Sequence, residues 1–385
     1  MEVTQIKQLV NDATRETLGE EATLLTEDLS NVVDIGTEIF NANAVDKYVK
    51  SLVNHIGKVV FVDRVYRGSA PSVLMDGWEF GSVLEKIHTE LPQATENESW
   101  ELNDGESYDP NVFYKPVVSA KFFNSKVTFD VNISFTEMQV KQSFSSVAQL
   151  NGFISMIYNS VDKSMTIKID ALVMRTINNM IGETVYAEYA DGSQSASSGV
   201  KAVNLLKLYN TRYSQNLSAS DAITTPEFIR YASYIIGMYK DRLSKMSTVF
   251  NIGGKERFTP DDMLHLVMLS DFEKASNAFL QSNVYHEMYT KLPNAETVPY
   301  WQGSGSSFAF DDVSSIKVKT SGEHTITVGG IIAVMFDRDA LGVSNLDKRV
   351  TTNYNPKAEF YTNFYKFDAG YFNDLNENFV VFFVA

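Results

Sequence analysis

The run from Ser146 to Gly182 constrains the fold more than any other stretch. Its apolar residues Val147, Leu150, Ile154, Ile157, Val161, Met165, Ile169 and Leu172 recur in alternating steps of three and four. That is one stripe of a 3.6-residue period, continued on a rotated face by Val173, Ile177 and Ile181. Ser146 and Gln149 have capping-box spacing at its start, and Gly182 suits a left-handed C-terminal residue. At 1.5 Å per residue such a helix is on the order of 50 Å long. No heptad with charged flanks persists, so a dimeric coiled coil fits poorly. One long helix in one chain reads as a spine on which sheets are laid, with Ile157 and Val161 facing them. Two ordinary helices broken near Gly152 or Asp162–Lys163 satisfy the same stripe.

Bulk properties narrow the function. A chain of 385 residues, 44% of them hydrophobic, can bury two or three compact units. A formal charge of −15 argues against a sequence-independent grip on nucleic acid, which needs lysine and arginine to displace counterions. The absence of cysteine excludes disulfides, thiolate zinc sites and cysteine nucleophiles. Asp12, Glu16, Glu20 and Glu21 stand where a signal peptide needs an apolar run. No apolar run approaches the length of a membrane-spanning helix. The 25 Phe and 19 Tyr, mostly in strand-like segments, supply much surface to bury within the chain or against neighbours.

Along the chain, residues 2–18 read as an amphipathic helix through Val3, Ile6, Leu9, Val10 and Ala13. An acidic, irregular stretch follows to about Asn43. It is either a tail or an arm with Ile35, Ile39 and Phe40 to bury against a neighbour. A helix over Ala44–Ile56 leads into a predicted strand at Lys58–Arg67. From Gly68 to Phe144 the pattern is that of a long hairpin. Its turn-rich start leads to Glu85, Glu90, Glu96, Glu98, Glu101, Asp104, Glu106 and Asp109, opposed locally by Lys86 alone. Val117, Phe122, Val127, Phe129, Val131, Ile133 and Phe135 then alternate as a strand. A solvated loop is the plainer reading of the acidic tip in a monomer. In an assembly it has basic candidates to meet in Lys240, Arg242, Lys245, Lys348 and Arg349.

Beyond the spine, Thr184–Ala190 reads as a strand and Asp191–Gly199 as a flexible connector. Helices are expected at Leu205–Tyr213, from Thr225-Pro226-Glu227 to about Met246, and from Asp271 to about Met288. Strands are expected at Met263–Leu269, Val313–Lys319, Thr325–Val328, Ile331–Phe336, Ala358–Phe367 and Phe379–Ala385, with a loop at Pro293–Ser307.

Catalytic constellations do not emerge. None of His55, His88, His265, His286 and His324 has a second ligand at metal-binding spacing. His265, between Leu264 and Leu266, reads as a satisfied structural histidine. Gly303-Ser304-Gly305 and Gly253-Gly254-Lys255 lack the Walker spacing and a helix directly behind them. Asp261–Asp262 and Asp337/Asp339 fit turn and cap duty better than acid–base work. The expectation is therefore no catalytic residue, no metal and no cofactor.

Three segments carry a resemblance. They are Ser51-Leu52-Val53-Asn54-His55-Ile56-Gly57-Lys58-Val59-Val60, then Ile157-Tyr158-Asn159-Ser160, then Met263-Leu264-His265-Leu266-Val267-Met268-Leu269-Ser270-Asp271. In this order they resemble segments of the major capsid proteins of phi-twenty-nine-like podoviruses. The wider layout is similar to the Hong Kong ninety-seven capsid fold of tailed phages. That resemblance implies an α+β chain with an N-terminal arm and lead-in helix (1–57) and an extended hairpin loop (58–144). A peripheral domain with the spine (145–200), an axial domain (201–340) and peripheral return strands (341–385) complete it.

The resemblance further implies a non-enzymatic shell protein of the virion, assembled in the host cytoplasm as hexamers and pentamers. It would enclose double-stranded DNA without specific binding. A portal protein would be a partner. The lack of a long helical N-terminal extension points to a separate scaffolding protein, and no additional C-terminal immunoglobulin-like domain is expected. Contacts between subunits would use Glu96, Glu98, Glu101, Asp104, Glu106 and Asp109 of the tip and Ile35, Ile39 and Phe40 of the arm. An encapsulin-type shell shares the fold. A monomeric carbohydrate-binding or hydrolase module is the rival from a different class.

Overall fold

A computed structural model of the chain describes residues 3–20, 22–26, 29–42, 44–62, 70–75, 84–89, 92, 103–106, 109, 111–189, 198–281, 295–303 and 306–385. Helix α1 (Val3–Leu18) sets Ile6, Leu9, Val10 and Ala13 on one face, and all four are buried. Helices α2 (Val32–Asn41) and α3 (Val45–Val62) follow. Ser51 donates to Glu16, fastening α3 to α1. The acidic stretch is therefore corrected from an irregular tail or arm to a segment with a helix of its own. Ile35 and Ile39 are fully buried in the chain's own core, and Phe40 meets Phe144 edge-on at 6.0 Å. The strand predicted from Lys58 is also corrected, since α3 continues through Val62; residues 63–67 of that stretch lie outside the described residues.

Strands β1 (Leu74–Met75), β2 (Leu84–Thr89), β3 (Val118–Phe123) and β4 (Lys126–Thr136) come next. Only β2 and β3 pair with each other as a two-stranded hairpin. The capping box of Thr136 and Gln139 opens α4 (Glu137–Ser143). Helix α5 (Val147–Tyr189) is one unbroken helix of 43 residues, roughly 65 Å long. Ser146 accepts from the Gln149 amide at 3.3 Å, and the predicted stripe from Leu150 to Leu172 is buried.

The far end of α5 differs from expectation. Gly182 is interior helix, not a terminator, and Thr184–Tyr189 is helical rather than a strand. The reason is packing: a Cβ on Gly182 would lie 2.3 Å from Val318 Cγ2, so the missing side chain is the seat of a neighbouring strand. Beyond it, buried Thr184 and Val185 carry the helix on.

The remaining elements are β5 (Ala202–Asn204), α6 (Leu205–Tyr213), α7 (Ala219–Ala222), α8 (Pro226–Leu243), β6 (Leu264–Leu269) and α9 (Ser270–Gln281). Then come β7 (Glu296–Val298), α10 (Phe310–Val313), β8 (Ile316–Lys319), β9 (Thr325–Val328) and β10 (Ile331–Asp337). Three strands close the chain: β11 (Leu341–Asn355), β12 (Phe360–Asn373) and β13 (Phe379–Phe383). One sheet has the order β1-β11-β12-β4, a second β5-β13-β10-β6-β7, and β8–β9 forms a ribbon. Helix α5 lies against β4, β11 and β12 and also reaches β13 and the ribbon, so one core joins both sheets. The five-stranded sheet is buried on both faces. Along β6, Val267 and Leu269 enter the spine core, while Leu266 and Met268 enter a second core under α6, α8 and α9.

Three expectations shift here. The strand predicted from Val313 starts at Ile316, because 310–313 is a helical turn. Strand β11 is unanticipated. The return segment divides, with β11 and β12 in the four-stranded sheet and β13 between β5 and β10 in the other.

Candidate assembly site: the hairpin and its charged anchor

Antiparallel register decides what each face of the β2–β3 hairpin presents. Lys86 is paired with Lys121, His88 with Ser119, Ile87 with Ala120 and Glu85 with Phe122. Lys86, His88 and Lys121 therefore share one face, and Glu85, Ile87, Val118 and Phe122 the other. The first face is held against the turn from β12 to β13. Lys121 Nζ lies 2.9 Å and Lys86 Nζ 3.4 Å from the two carboxylate oxygens of Asp374. Lys86 also donates to the Asp339 carbonyl and stands 5.2 Å over the Phe372 ring, which packs on Phe123. Asp374 is fixed in turn by its own amide, which donates to the Ala340 carbonyl at 2.7 Å.

Beside this pair, Arg257 Nε lies 3.2 Å from Glu377. Its Nη2 sits 2.8 Å from His88 Nδ1. A permanently charged guanidinium can only donate, so Nδ1 accepts and the neutral ring carries its proton on Nε2. That nitrogen faces Glu377 at 3.5 Å and Asp374 at 3.8 Å.

The electrostatics follow. Burial pushes Asp374 up, but the Lys121 hydrogen bond, Lys86 and the Asn376 amide outweigh it and hold the carboxyl below the usual range. Burial raises Glu377, with Lys86 and Arg257 offsetting part of the rise. Burial and Arg257 lower His88 against the pull of Asp374. His88, Asp374 and Glu377 have the donor set of a metal triad. Lys86, Lys121 and Arg257 already neutralise its two carboxylates, leaving no net negative charge to hold a divalent ion. The cluster is an ion-pair hub.

The opposite face has no such cover among the described residues. Ile87 and Phe122 are 64% and 62% exposed, and Phe113 and Tyr114 farther along are 84% and 82% exposed. Of the acidic tip, Asp104, Glu106 and Asp109 are exposed, while Glu96, Glu98 and Glu101 lie outside the described residues. Two of the basic candidates are engaged within the chain: Lys240 pairs with Asp261 at 2.8 Å, and Arg349 with Asp368 at 3.1 Å. Asp337 does turn duty, accepting from the Asp339 amide and Thr259. His265 Nε2 is buried without a hydrogen-bond partner, so that histidine is less satisfied than expected. The hub was not visible in the sequence, because its six side chains come from four separate segments between residues 86 and 377.

The family model for the Phi29-like phage major capsid protein matches residues 10–383. The chain belongs to that family. As a Phi29-like major capsid protein it is a shell-forming structural protein of a phage. Its mixed helix-and-sheet architecture agrees with a solved structure. A structure described as the head fiber and inner core protein gp22 of native bacteriophage P68 matches with a TM-score of 0.51 and 9% identity, over 84% of this chain and 86% of that one. The capsid of Staphylococcus phage Andhra matches with a TM-score of 0.49 and 10% identity, over 84% and 86%. The capsid of cyanophage P-SCSP1u gives 0.47 and 10%, over 84% and 90%. No curated protein sequence matches the chain.

Proposed function

We propose that the capsid protein builds its shell by laying the uncovered hairpin face and the segment 111–118 across a neighbouring subunit. The observation that carries this reading is the two-sidedness of the hairpin. One face is fastened to the chain's own hub, and the other exposes Ile87, Val118 and Phe122 to solvent. A contiguous apolar surface of this kind is normal for a binding face and costly for a monomer. Asp104, Glu106 and Asp109 then sit where they meet basic groups of the neighbour, each exposed pair adding about 1 kcal/mol at most. Glu96, Glu98 and Glu101 are assigned the same role from their sequence positions. The burial of Ile35 and Ile39 supports giving them to the subunit's own core, leaving Phe40 as the partly covered member of that set.

In the same reading, the four-stranded sheet with α5 forms the peripheral part of the subunit and the five-stranded sheet the axial part. The chain works by assembly into hexamers and pentamers, without catalysis, in the host cytoplasm and then in the virion. A separate scaffolding protein and a portal protein are its partners. Double-stranded DNA is enclosed without being gripped, in keeping with a charge of −15. Deleting 89–109 tests the hairpin's part. The expected product is a folded subunit that closes no shells, and normal particles from the deletion would overturn the reading.

A further inference from the structure

A second surface, remote in sequence from the hairpin, has its own chemistry. Helices α6 and α8 frame an open cavity of about 490 Å³ lined by Tyr213, Tyr231 and Tyr234 with Arg212, Arg230 and Glu227. The Arg212 guanidinium lies 5.8 Å from the centres of both the Tyr213 and Tyr231 rings, a cation–π arrangement that orients it at the rim. Tyr234 is 60% exposed. Tyrosine and arginine around a partly desolvated pocket is the composition of a binding hot spot.

The same chain carries a shape that fits it. Phe308 is 95% exposed, the most exposed of the large apolar side chains described. It stands on a braced loop. Below it the Trp301 amide donates to the Val313 carbonyl, and the buried Trp301 indole donates to the Ile331 carbonyl at 2.9 Å. Ser307 donates to Asp312 at 2.6 Å, and Asp311 and Asp312, close behind Phe308 in the chain, are both exposed. The knob is thus aromatic and acidic, where the cavity is aromatic and predominantly basic.

Topology separates the two. Helix α6 leaves β5, one edge of the five-stranded sheet, and the Phe308 segment leaves β7, the opposite edge. A contact between unlike surfaces at opposite edges is head-to-tail, the kind that generates rings.

We propose that Phe308 of one subunit seats in the Arg212–Tyr213–Tyr231–Tyr234 cavity of the next, with Asp311 and Asp312 facing Arg212 and Arg230, and that this contact runs around each ring. The occupant is a second copy of this chain. The proposal rests on the shell reading but not on the hairpin. A benzyl side chain fits the cavity volume, and the ring stacks on tyrosine without disturbing its cation–π partner.

The lack of native cysteine gives a clean test. The double variant Phe308→Cys with Tyr234→Cys is assembled into particles, oxidised with copper phenanthroline, and run on denaturing gels without reductant. A ladder of linked subunits ending at ring size is expected, absent from each single variant. Particles without cross-links overturn the contact, as does cross-linking by Phe308→Cys alone, which would mean a symmetric Phe308–Phe308 contact. If the double variant forms no particles, Phe308→Ser decides. A critical concentration for assembly raised about tenfold at unchanged melting temperature supports the contact, and an unchanged one overturns it. Failure of the wild-type chain to form particles with its scaffolding protein present overturns the hexamer-and-pentamer reading and this contact with it.

Discussion

Lys121 on the hairpin places its Nζ 2.9 Å from Oδ1 of Asp374, a residue 253 positions later in the chain. The Asp374 side chain is fully buried, whereas that of Lys121 keeps 36% of its surface and that of Lys86 15%. The hairpin is therefore oriented by cations on its inner face converging on one buried carboxylate.

Removing that carboxylate should loosen the hairpin. Asp374→Ala leaves Lys86 and Lys121 side by side without the carboxylate that pairs them, at a cost of about 3 kcal/mol, the low end for a broken buried pair because Lys121 is partly solvated. Lys121→Ala, which leaves Asp374 with Lys86, should cost about 1 kcal/mol. Urea unfolding of the two variants checks the order. Equal stabilities would mean that Asp374 does not organise the hub.

The hub also sets a pH dependence whose parts differ in sign. His88 and Asp374 are lowered in the folded chain, so their contributions are present above 6.5 and 3.8 and are lost as pH falls through the still lower folded values. Glu377 is raised, so its contribution is present below 4.5 and is lost as pH rises through the folded value. Acidification from pH 7 should therefore weaken the subunit through His88, with Glu377 opposing. His88→Gln should flatten the slope of unfolding free energy between about pH 7 and 5, and Glu377→Gln should steepen it. Parallel slopes in all three proteins would remove the hub from the pH response.

How much of this was legible depends on whether the signal was local. The α5 stripe from Leu150 to Leu172 was readable because one helical face is buried continuously. Its end was misread at Gly182, since a glycine that stops a helix and one that admits Val318 look alike in sequence. Strand β11 was invisible for a related reason. Asp347, Lys348, Arg349, Thr351 and Asn353 are polar and carry no apolar alternation, and the segment is a strand because β12 pairs with it along its length. The hub has no spacing signal at all, because Lys86, Arg257 and Asp374 meet only once both sheets have formed.

The Gly182 contact gives a stability prediction that runs against helix propensity. Alanine gains about 0.5–1 kcal/mol over glycine in a helix interior. At Gly182 its Cβ would collide with Val318 Cγ2, and overpacking of this kind costs about 1–3 kcal/mol. Gly182→Ala should therefore destabilise the subunit by about 1 kcal/mol or more, whereas Gly152→Ala, with open space around it, should stabilise it. Thermal melts of the pair decide, and a stabilised Gly182→Ala would show that the ribbon does not pack on α5 there.

The outer hairpin face makes the sharpest separation between folding and assembly. Ile87 and Phe122 are 64% and 62% exposed in the subunit, and they stand on neighbouring rungs of one face. Changing both to serine removes almost nothing from the subunit's own core, so folding stability should stay within about 0.5 kcal/mol of wild type. If that face is covered by a neighbour, the same change removes apolar burial at every contact. Full burial of each side chain is worth about 1.5–3 kcal/mol in transfer terms, of which only a part survives as association energy. A loss of about 1.4 kcal/mol per contact is a tenfold change in its equilibrium constant, and many such contacts close one shell. The double variant Ile87→Ser, Phe122→Ser should therefore melt like wild type and need at least about tenfold more protein to assemble by light scattering. Assembly at the wild-type concentration would mean that the face stays open to solvent in the shell, and the hairpin would have to make its contacts elsewhere.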